Sequence, residues 1–179
     1  MLSQHESLRY NIFVYGTLKR NEPNNHMLLD AANGNSLFRG SALTDDKFLM
    51  VIGSKYNIPF CLDIQEKGSS QIIGEVYEID ENMLDSLDVF EGFPKFYDRK
   101  EITVNTSDNR TINAWIYLLS DWSDTFLQSC STPINNYFSL GSHGRRYVKS
   151  ETCTTIEEFM AFVHHKERTK DTILTKNEE

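Results

Sequence analysis

Residues 71–92 read Q-I-I-G-E-V-Y-E-I-D-E-N-M-L-D-S-L-D-V-F-E-G, a strand pattern followed directly by a helix pattern. Over residues 71–79 the side chains divide into two alternating faces, which predicts a β-strand. Asp80 then offers an N-cap, and apolar residues recur at helical spacing over 83–90. Gly92 is placed to end that helix in a left-handed conformation. This stretch therefore predicts one strand joined to one well-defined helix.

Strand patterns dominate the chain on both sides of this helix. We predict strands over residues 11–15, 36–44, 48–52, 57–64, 100–104 and 111–119. Pro59 restricts the fourth of these to a sheet edge or a strand start. Many strands with one clear helix predict an α+β fold built around a strongly curved sheet or a small mixed β-barrel with flanking helices.

The C-terminal part of the sequence differs from the rest. We expect one domain over residues 1–150 and a helix with a charged tail over 151–179. Residues 155–158 (T-I-E-E) resemble a capping box, and a short amphipathic helix through Phe159, Phe162 and Val163 follows. From Lys166 onward, charged and small residues predict a frayed end.

Composition narrows the class of protein. The formal net charge of -8 argues against general nucleic-acid binding. Cys61, Cys130 and Cys153 show neither a disulfide pattern nor zinc spacing, and we predict no metal and no cofactor. Because residues 1–10 contain no apolar run, we expect no secretory signal there, and no stretch reaches the roughly 20 apolar residues of a membrane helix. These features predict a cytoplasmic protein that binds neither nucleic acid nor membranes, and they do not reveal whether it has a protein partner.

The first candidate site follows the strand over 11–15 and reads Tyr15-Gly16-Thr17-Leu18. We expect Gly16 to take a positive φ, so that the backbone turns sharply. Successive N–H groups at such a turn can hold an anion or a carbonyl oxygen. An ordinary strand-to-loop turn explains the same residues. The glycine pattern of a nucleotide-phosphate loop is absent.

The second candidate site is acidic and lies at the end of the central helix. Asp85, Asp88 and Glu91 are three residues apart, and we expect Asp85 and Asp88 on the solvated helix face. Glu91 stands beside several aromatic residues at the negative end of the helix dipole. Both surroundings raise a carboxyl pKa, which suits a group that takes and returns a proton near neutral pH. An exposed glutamate at a frayed helix end is the alternative.

A basic segment at residues 143–147 (H-G-R-R-Y) can form a positive rim for an acidic substrate, or a plain surface turn. Arg145 and, from the middle of the chain, Tyr97 are further candidates for lining a pocket. Serine or thiol hydrolase chemistry is disfavoured because no G-x-S-x-G motif or Cys–His pairing is present.

Together these segments resemble one family, the γ-glutamylcyclotransferase-like superfamily, in its γ-glutamylamine cyclotransferase branch. The similarity is carried by F-V-Y-G-T-L-K-R at 13–20, P-N-N-H at 23–26, N-I-P at 57–59, G-E-V-Y at 74–77, L-D-V-F-E at 87–91, Y-D-R at 97–99 and H-G-R-R-Y at 143–147. They occur in the order expected of that branch. Asn21 departs from it, since the branch usually has glycine there.

The resemblance implies a small mixed β-barrel with flanking helices. It implies that Tyr15, Gly16, Thr17 and Leu18 hold a γ-glutamyl substrate, largely through backbone groups, and that Glu91 is the acid/base residue. The reaction implied is ring closure to 5-oxoproline with release of an amine. Two alternatives remain, the same chemistry on γ-glutamyl amino acids or dipeptides, and a non-catalytic binding module on the same fold.

Overall fold

The structure is a computed structural model that describes residues 7–149 and 156–164. The strands are β1 (Tyr10–Val14), β2 (Ser36–Gly53), β3 (Ile58–Leu62), β4 (Ser70–Ile79), β5 (Asp98–Thr106) and β6 (Thr111–Leu118). The helices are α1 (His26–Leu29), α2 (Glu81–Glu91), α3 (Asp124–Ser129) and α4 (Ile156–Val163).

Five strands close into a barrel. They pair in the order β2-β4-β1-β6-β5, and β5 returns to β2 where residues 104–106 pair with residues 42–44. β1 and β6 are parallel, whereas the other pairs are antiparallel. The sixth strand, β3, extends the sheet beside the C-terminal half of β2. The predicted small mixed barrel is confirmed.

Side chains along the barrel strands alternate between the two faces of the sheet, so the core consists of two clusters. One buried cluster takes Phe13, Ala42, Val76, Val104 and Ala114 from the five barrel strands. Because successive strand residues point to opposite faces, these side chains fill the barrel interior. The second cluster contains the neighbours on the other face, such as Ile12 and Tyr77, together with apolar residues of α2 and α3. The helices therefore pack on the outside of the barrel.

The two strands predicted over 36–44 and 48–52 are one continuous strand, β2, of 18 residues. The polar residues 45–47 resemble a turn, but the chain bulges there, and the pairing with β4 shifts register between Leu43 and Lys47. The Thr44 hydroxyl accepts a hydrogen bond from the Ile72 backbone at 2.9 Å within this irregular region. Beyond it, β2 leaves β4 and pairs with β3, in which Pro59 occupies the predicted sheet edge.

Helix α2 begins and ends where the sequence predicted. Asp80 caps it by accepting a hydrogen bond from the Met83 backbone at 2.9 Å. Burial opposes the charge of Asp80, but hydrogen bonds from Met83 and Asn35 hold its pKa below the usual value. Gly92 ends the helix with φ 68°. Glu91 is consequently the last helical residue.

Helix α4 confirms the short helix predicted near the C-terminus. Val163 is fully buried, and the ring of Phe162 meets that of Phe126 at 5.9 Å. The predicted capping residue Thr155 and the charged tail beyond residue 164 lie outside the described residues. No helix in the described ranges has the length and apolar character to cross a membrane.

Candidate active site

A pocket of about 330 Å³ opens beside the end of β1. It collects segments that are far apart in the sequence, namely the end of β1 and the loop after it, the end of α2, the start of β3, the two residues before β5, the end of β6 and residues 147–148. Its lining comprises Phe13, Val14, Tyr15, Gly16, Thr17, Leu18, Asn24, Tyr56, Ile58, Pro59, Phe90, Glu91, Phe96, Tyr97, Tyr117, Tyr147 and Val148. The structure therefore brings together six of the seven site residues predicted from the sequence.

Glu91 presents the single carboxyl side chain in this lining. The residue is half-buried, and no donor among the described residues hydrogen-bonds its carboxyl group. Burial raises the pKa of Glu91 to about 8. The aromatic lining residues Phe90, Phe96 and Tyr97 explain this desolvation, as the sequence predicted. Glu91 can therefore exchange a proton near neutral pH.

Three tyrosines, Tyr15, Tyr97 and Tyr117, lie near the carboxyl group. Burial is the main cause that raises the pKa of each phenol, and the negative charge of Glu91 adds to it. The hydroxyl of Tyr15 donates to the Tyr117 carbonyl at 2.9 Å. The hydroxyl of Tyr97 has no partner among the described residues. All three phenols stay protonated near neutral pH, and that of Tyr97 can donate into the pocket.

The loop after β1 offers unused backbone donors to the same pocket. The N–H groups of Gly16, Thr17 and Leu18 have no acceptor among the described residues. The carbonyl groups of Gly16 and Thr17 are occupied, by the Lys19 N–H at 3.1 Å and the Asn24 N–H at 2.9 Å. The loop thus presents donors, an arrangement that suits a carboxylate or a carbonyl oxygen.

A hydrogen-bonded chain behind the loop holds its shape. The Asn25 amide donates to the Leu18 carbonyl at 2.8 Å and to the Tyr77 hydroxyl at 3.2 Å. That hydroxyl donates to Glu75 at 3.1 Å, and Glu75 accepts from the Arg20 backbone at 2.8 Å. The motifs at 23–26 and 74–77 were noted in the sequence, but this role was not predicted, because it depends on β4 pairing with β1.

The structure corrects the prediction that Gly16 has a positive φ. Its φ does not lie in the left-handed region, which is occupied nearby by Asn21 at φ 64°. Glycine is required at position 16 for a different reason, because an added Cβ would lie 2.6 Å from the Cγ atom of Pro59. The departure from the family at position 21 is explained as well, since asparagine tolerates a positive φ better than most residues.

The structure also corrects the prediction for Asp88. Asp85 is exposed, as predicted, but Asp88 is half-buried. Its carboxylate accepts a hydrogen bond from the Tyr117 hydroxyl at 2.7 Å and forms an ion pair with Arg99 at 2.6 Å. Asp88 therefore supports a pocket residue and does not belong to a solvated helix face. Its partners come 11 and 29 residues later, so local spacing could not reveal them.

Arg145 is the predicted site residue that the structure does not place in the pocket lining. Its guanidinium donates to the Ser129 carbonyl at 2.9 Å and to the Ile52 carbonyl at 3.4 Å. Two residues further on, Tyr147 reaches the pocket beside Val148, whose N–H donates to the Tyr56 carbonyl at 2.9 Å. The segment predicted as a positive rim therefore contributes an aromatic and an aliphatic side chain. Sequence reasoning also missed Asn24 and Tyr117.

The lining carries no positive side chain among the described residues. Of the described residues, those that can hold an anionic group of a ligand here are hydrogen-bond donors, such as the loop N–H groups and the Tyr97 hydroxyl. Within the described ranges, no three His, Cys, Asp or Glu side chains come together in a way that would hold a metal ion.

Comparison with known proteins identifies the family of the chain. The family model described as gamma-glutamyl cyclotransferase, AIG2-like, matches residues 12–135. A gamma-glutamylaminecyclotransferase from Rattus norvegicus is 38% identical over 149 residues, which are 79% of this chain and 97% of that protein. A Drosophila melanogaster protein, whose gamma-glutamylcyclotransferase name is provisional, is 47% identical over 116 residues, 65% of this chain and 73% of its own length.

Among solved structures, an AIG2-like protein from Mus musculus superposes with a TM-score of 0.73 at 36% identity. The match covers 80% of this chain and 97% of the mouse chain. Barrel, pocket and relatives lead to one conclusion: this chain belongs to the gamma-glutamyl cyclotransferase, AIG2-like family, and it is an enzyme of the cyclotransferase type.

Proposed function

We propose that this enzyme acts on γ-glutamylamines such as γ-glutamyl-ε-lysine and releases 5-oxoproline and a free amine. One observation carries the proposal. An unpaired carboxyl group with a pKa of about 8, that of Glu91, shares a pocket with the unpaired N–H groups of the loop after β1. The first is a proton acceptor and the second binds oxygen atoms, which are the two functions that ring closure requires.

In the proposed reaction the substrate's α-amino nitrogen attacks its own γ-amide carbon. Glu91 removes one proton from the α-ammonium group, and the new carbon–nitrogen bond closes a five-membered ring. The tetrahedral intermediate then breaks its bond to the amine, which leaves with the proton held by Glu91. The ring nitrogen, which still carries two hydrogens after the attack, gives its second proton to the Glu91 carboxylate, which passes it to the released amine. Because nucleophile and electrophile belong to one molecule, the protein contributes mainly by folding the glutamyl chain into position.

The pKa of Glu91 suits this proton transfer. Burial brings the pKa of Glu91 to about 8, well above that of an ordinary glutamate. Its basicity is therefore closer to that of an amine, which favours proton transfer between the two groups. A carboxyl group of ordinary pKa would be a poor base toward the substrate's ammonium group.

Different hydrogen-bond donors of the pocket are assigned to different oxygen atoms of the substrate. We assign the Gly16–Leu18 N–H groups to the α-carboxylate, because successive N–H groups hold anions and the lining offers no cation. The Tyr97 hydroxyl is assigned to the γ-carbonyl oxygen, which gains negative charge during attack. Arg145 has no part in this assignment.

The lack of a positive side chain also favours an amine as leaving group. A leaving α-amino acid places its carboxylate next to the scissile amide, where no described lining residue can neutralise it. In γ-glutamyl-ε-lysine the charged end of the lysine is several methylene groups away and reaches solvent. Phe90 and Val148, which are 37% and 48% exposed, offer apolar surface for those methylenes.

Two other functions remain as alternatives. The name of the Drosophila relative favours the γ-glutamylcyclotransferase activity, in which an α-amino acid is released. A binding module without catalysis has no use for an unpaired carboxyl group whose burial is costly.

The test compares γ-glutamyl-ε-lysine with γ-glutamyl-alanine as substrates, with 5-oxoproline release as the measured quantity. We expect kcat/KM to be at least about tenfold higher for the lysine compound, a difference of one well-placed contact or more. A preference for γ-glutamyl-alanine would instead assign the protein the γ-glutamylcyclotransferase activity. Release from neither compound, with the fold intact, would favour the binding module.

A further inference from the structure

Asp88 and Arg99 hold the Tyr117 hydroxyl without lining the pocket themselves. Arg99 Nη1 donates to Asp88 Oδ2 at 2.6 Å, and the Tyr117 hydroxyl donates to Asp88 Oδ1 at 2.7 Å. The side chains of Asp88 and Arg99 are only 21% and 19% exposed, so the pair is shielded from solvent. Arg99 also lies 4.9 Å from the ring of Phe93 and 5.2 Å from that of Trp115, which holds its guanidinium in place.

This arrangement sets the direction of the hydrogen bond at Tyr117. A carboxylate can only accept hydrogen bonds, and burial raises the pKa of Tyr117 well above its usual value, so the phenol keeps its proton. The phenol proton therefore goes to Asp88, and the oxygen lone pairs remain free. Tyr117 differs in this respect from Tyr97, whose hydroxyl can still donate.

Ring closure gives such an acceptor a specific use. Once the substrate ammonium has lost a proton to Glu91, its nitrogen has two N–H bonds and one lone pair. That lone pair must point at the γ-carbon for attack to occur. A fixed acceptor beside Glu91 takes one of the N–H bonds and thereby limits how the nitrogen can rotate. Tyr117 lines the pocket close enough to Glu91 for the two groups to interact electrostatically.

We propose that Tyr117 accepts a hydrogen bond from the substrate's α-amino group, and that Asp88, held by Arg99, is the positioning residue that keeps the Tyr117 lone pairs available. The inference rests on the proposed function. It assigns roles to three residues outside the loop and Glu91, and it makes Asp88 act through Tyr117 alone.

A double-mutant cycle tests this coupling. Tyr117→Phe should lower kcat/KM for γ-glutamyl-ε-lysine about tenfold to a hundredfold, the range for a hydrogen bond to a charged group. Asp88→Ala alone should lower kcat/KM by a similar factor. In the Tyr117→Phe background, Asp88→Ala should lower kcat/KM by less than about threefold. Competitive inhibition by glutarate, which has the carboxylate groups but no α-amino nitrogen, should change less than about threefold in every variant, because it cannot donate a hydrogen bond to Tyr117.

Asp85→Ala is the matched control, since Asp85 lies on the same helix and is exposed. It should leave both measurements unchanged. If Asp88→Ala fails to fold, Asp88→Asn serves in the same cycle, because its amide group cannot pair with Arg99 and accept from Tyr117 equally well.

Equal losses in kcat/KM from the Asp88 variant in both backgrounds would overturn the inference. Inhibition by glutarate that weakens as much as kcat/KM would overturn it as well. Either result would mean that Asp88 acts structurally. If the wild-type enzyme itself releases no 5-oxoproline, the proposed function fails and this inference falls with it, an outcome distinct from an active enzyme with additive losses.

Discussion

At the scale of single residues, the site depends on which polar groups are left unpaired. The carboxyl group of Glu91, the hydroxyl of Tyr97 and three loop N–H groups have no partner among the described residues. The hydroxyl groups of Tyr15 and Tyr117, in contrast, donate hydrogen bonds to other groups of the protein. Polar groups that line a pocket and have no partner in the protein are available to a ligand, which favours a functional role.

The burial of Glu91 has a consequence for stability. Its pKa is about 8 in the folded protein, against an ordinary value of 4.5. The folded chain therefore binds more protons than the unfolded chain between these values, and its stability falls as the pH rises through the interval. The change cannot exceed roughly 1.36 kcal/mol per pH unit, and the partial exposure of the residue reduces it.

Replacing Glu91 by glutamine should remove this dependence. The quantity to compare is the Tm of Glu91→Gln minus the Tm of the wild type. We expect this difference to be larger at pH 8.5 than at pH 5. Thermal unfolding of both proteins at the two pH values measures the difference, and Asp85→Asn should follow the wild type. A Glu91→Gln difference that is the same at both pH values would mean that the carboxyl group is solvated.

At the scale of elements, the contact between the loop after β1 and strand β3 shapes the pocket. Gly16 lies so close to Pro59 that an added Cβ would come within 2.6 Å of the proline ring. That ring belongs to an edge strand paired to β2, so it cannot move away freely. Gly16 does not have a positive φ, which leaves the contact with Pro59 as the reason for glycine.

Gly16→Ala should therefore push the loop away from β3. Overpacking of this kind costs typically 1–3 kcal/mol, and displacement of the N–H groups by even part of an ångström should lower kcat/KM about tenfold or more. The double variant Gly16→Ala with Pro59→Gly should recover most of the loss, as measured by 5-oxoproline release. Loss of activity that the second substitution does not reverse would implicate the backbone conformation of Gly16 instead.

Elements that depend on neighbouring residues were predictable from the sequence. The caps of α2 at Asp80 and Gly92 follow from local chemistry, and so does the aromatic surrounding of Glu91. The single strand β2 was not predictable, because its polar residues 45–47 resemble a turn until the pairing with β4 is known. Asp88 and Arg145 were misjudged for the same reason, since their partners lie far away in the sequence.

At the scale of the whole molecule, closure of the barrel assembles the site. The parallel pairing of β1 with β6 brings the end of β1 beside Tyr117, and α2 adds Glu91 from outside the barrel. Family resemblance and the number of strands predicted a barrel, but neither shows that β5 returns to β2. Such pairings are decided by packing between distant segments, which is why the loop and Glu91 could be predicted while their supporting residues could not.

The central claim, that Glu91 transfers the proton in a cyclotransferase reaction, is tested most directly by Glu91→Gln. Glutamine keeps the shape of the side chain but cannot cycle a proton near neutral pH. The measurement is kcat for 5-oxoproline release from γ-glutamyl-ε-lysine, with circular dichroism to confirm folding and with Asp85→Asn as control. We predict a loss of about 10²–10⁴ for Glu91→Gln and a nearly unchanged rate for Asp85→Asn. A folded Glu91→Gln variant that retains more than about a tenth of the wild-type kcat would contradict the account.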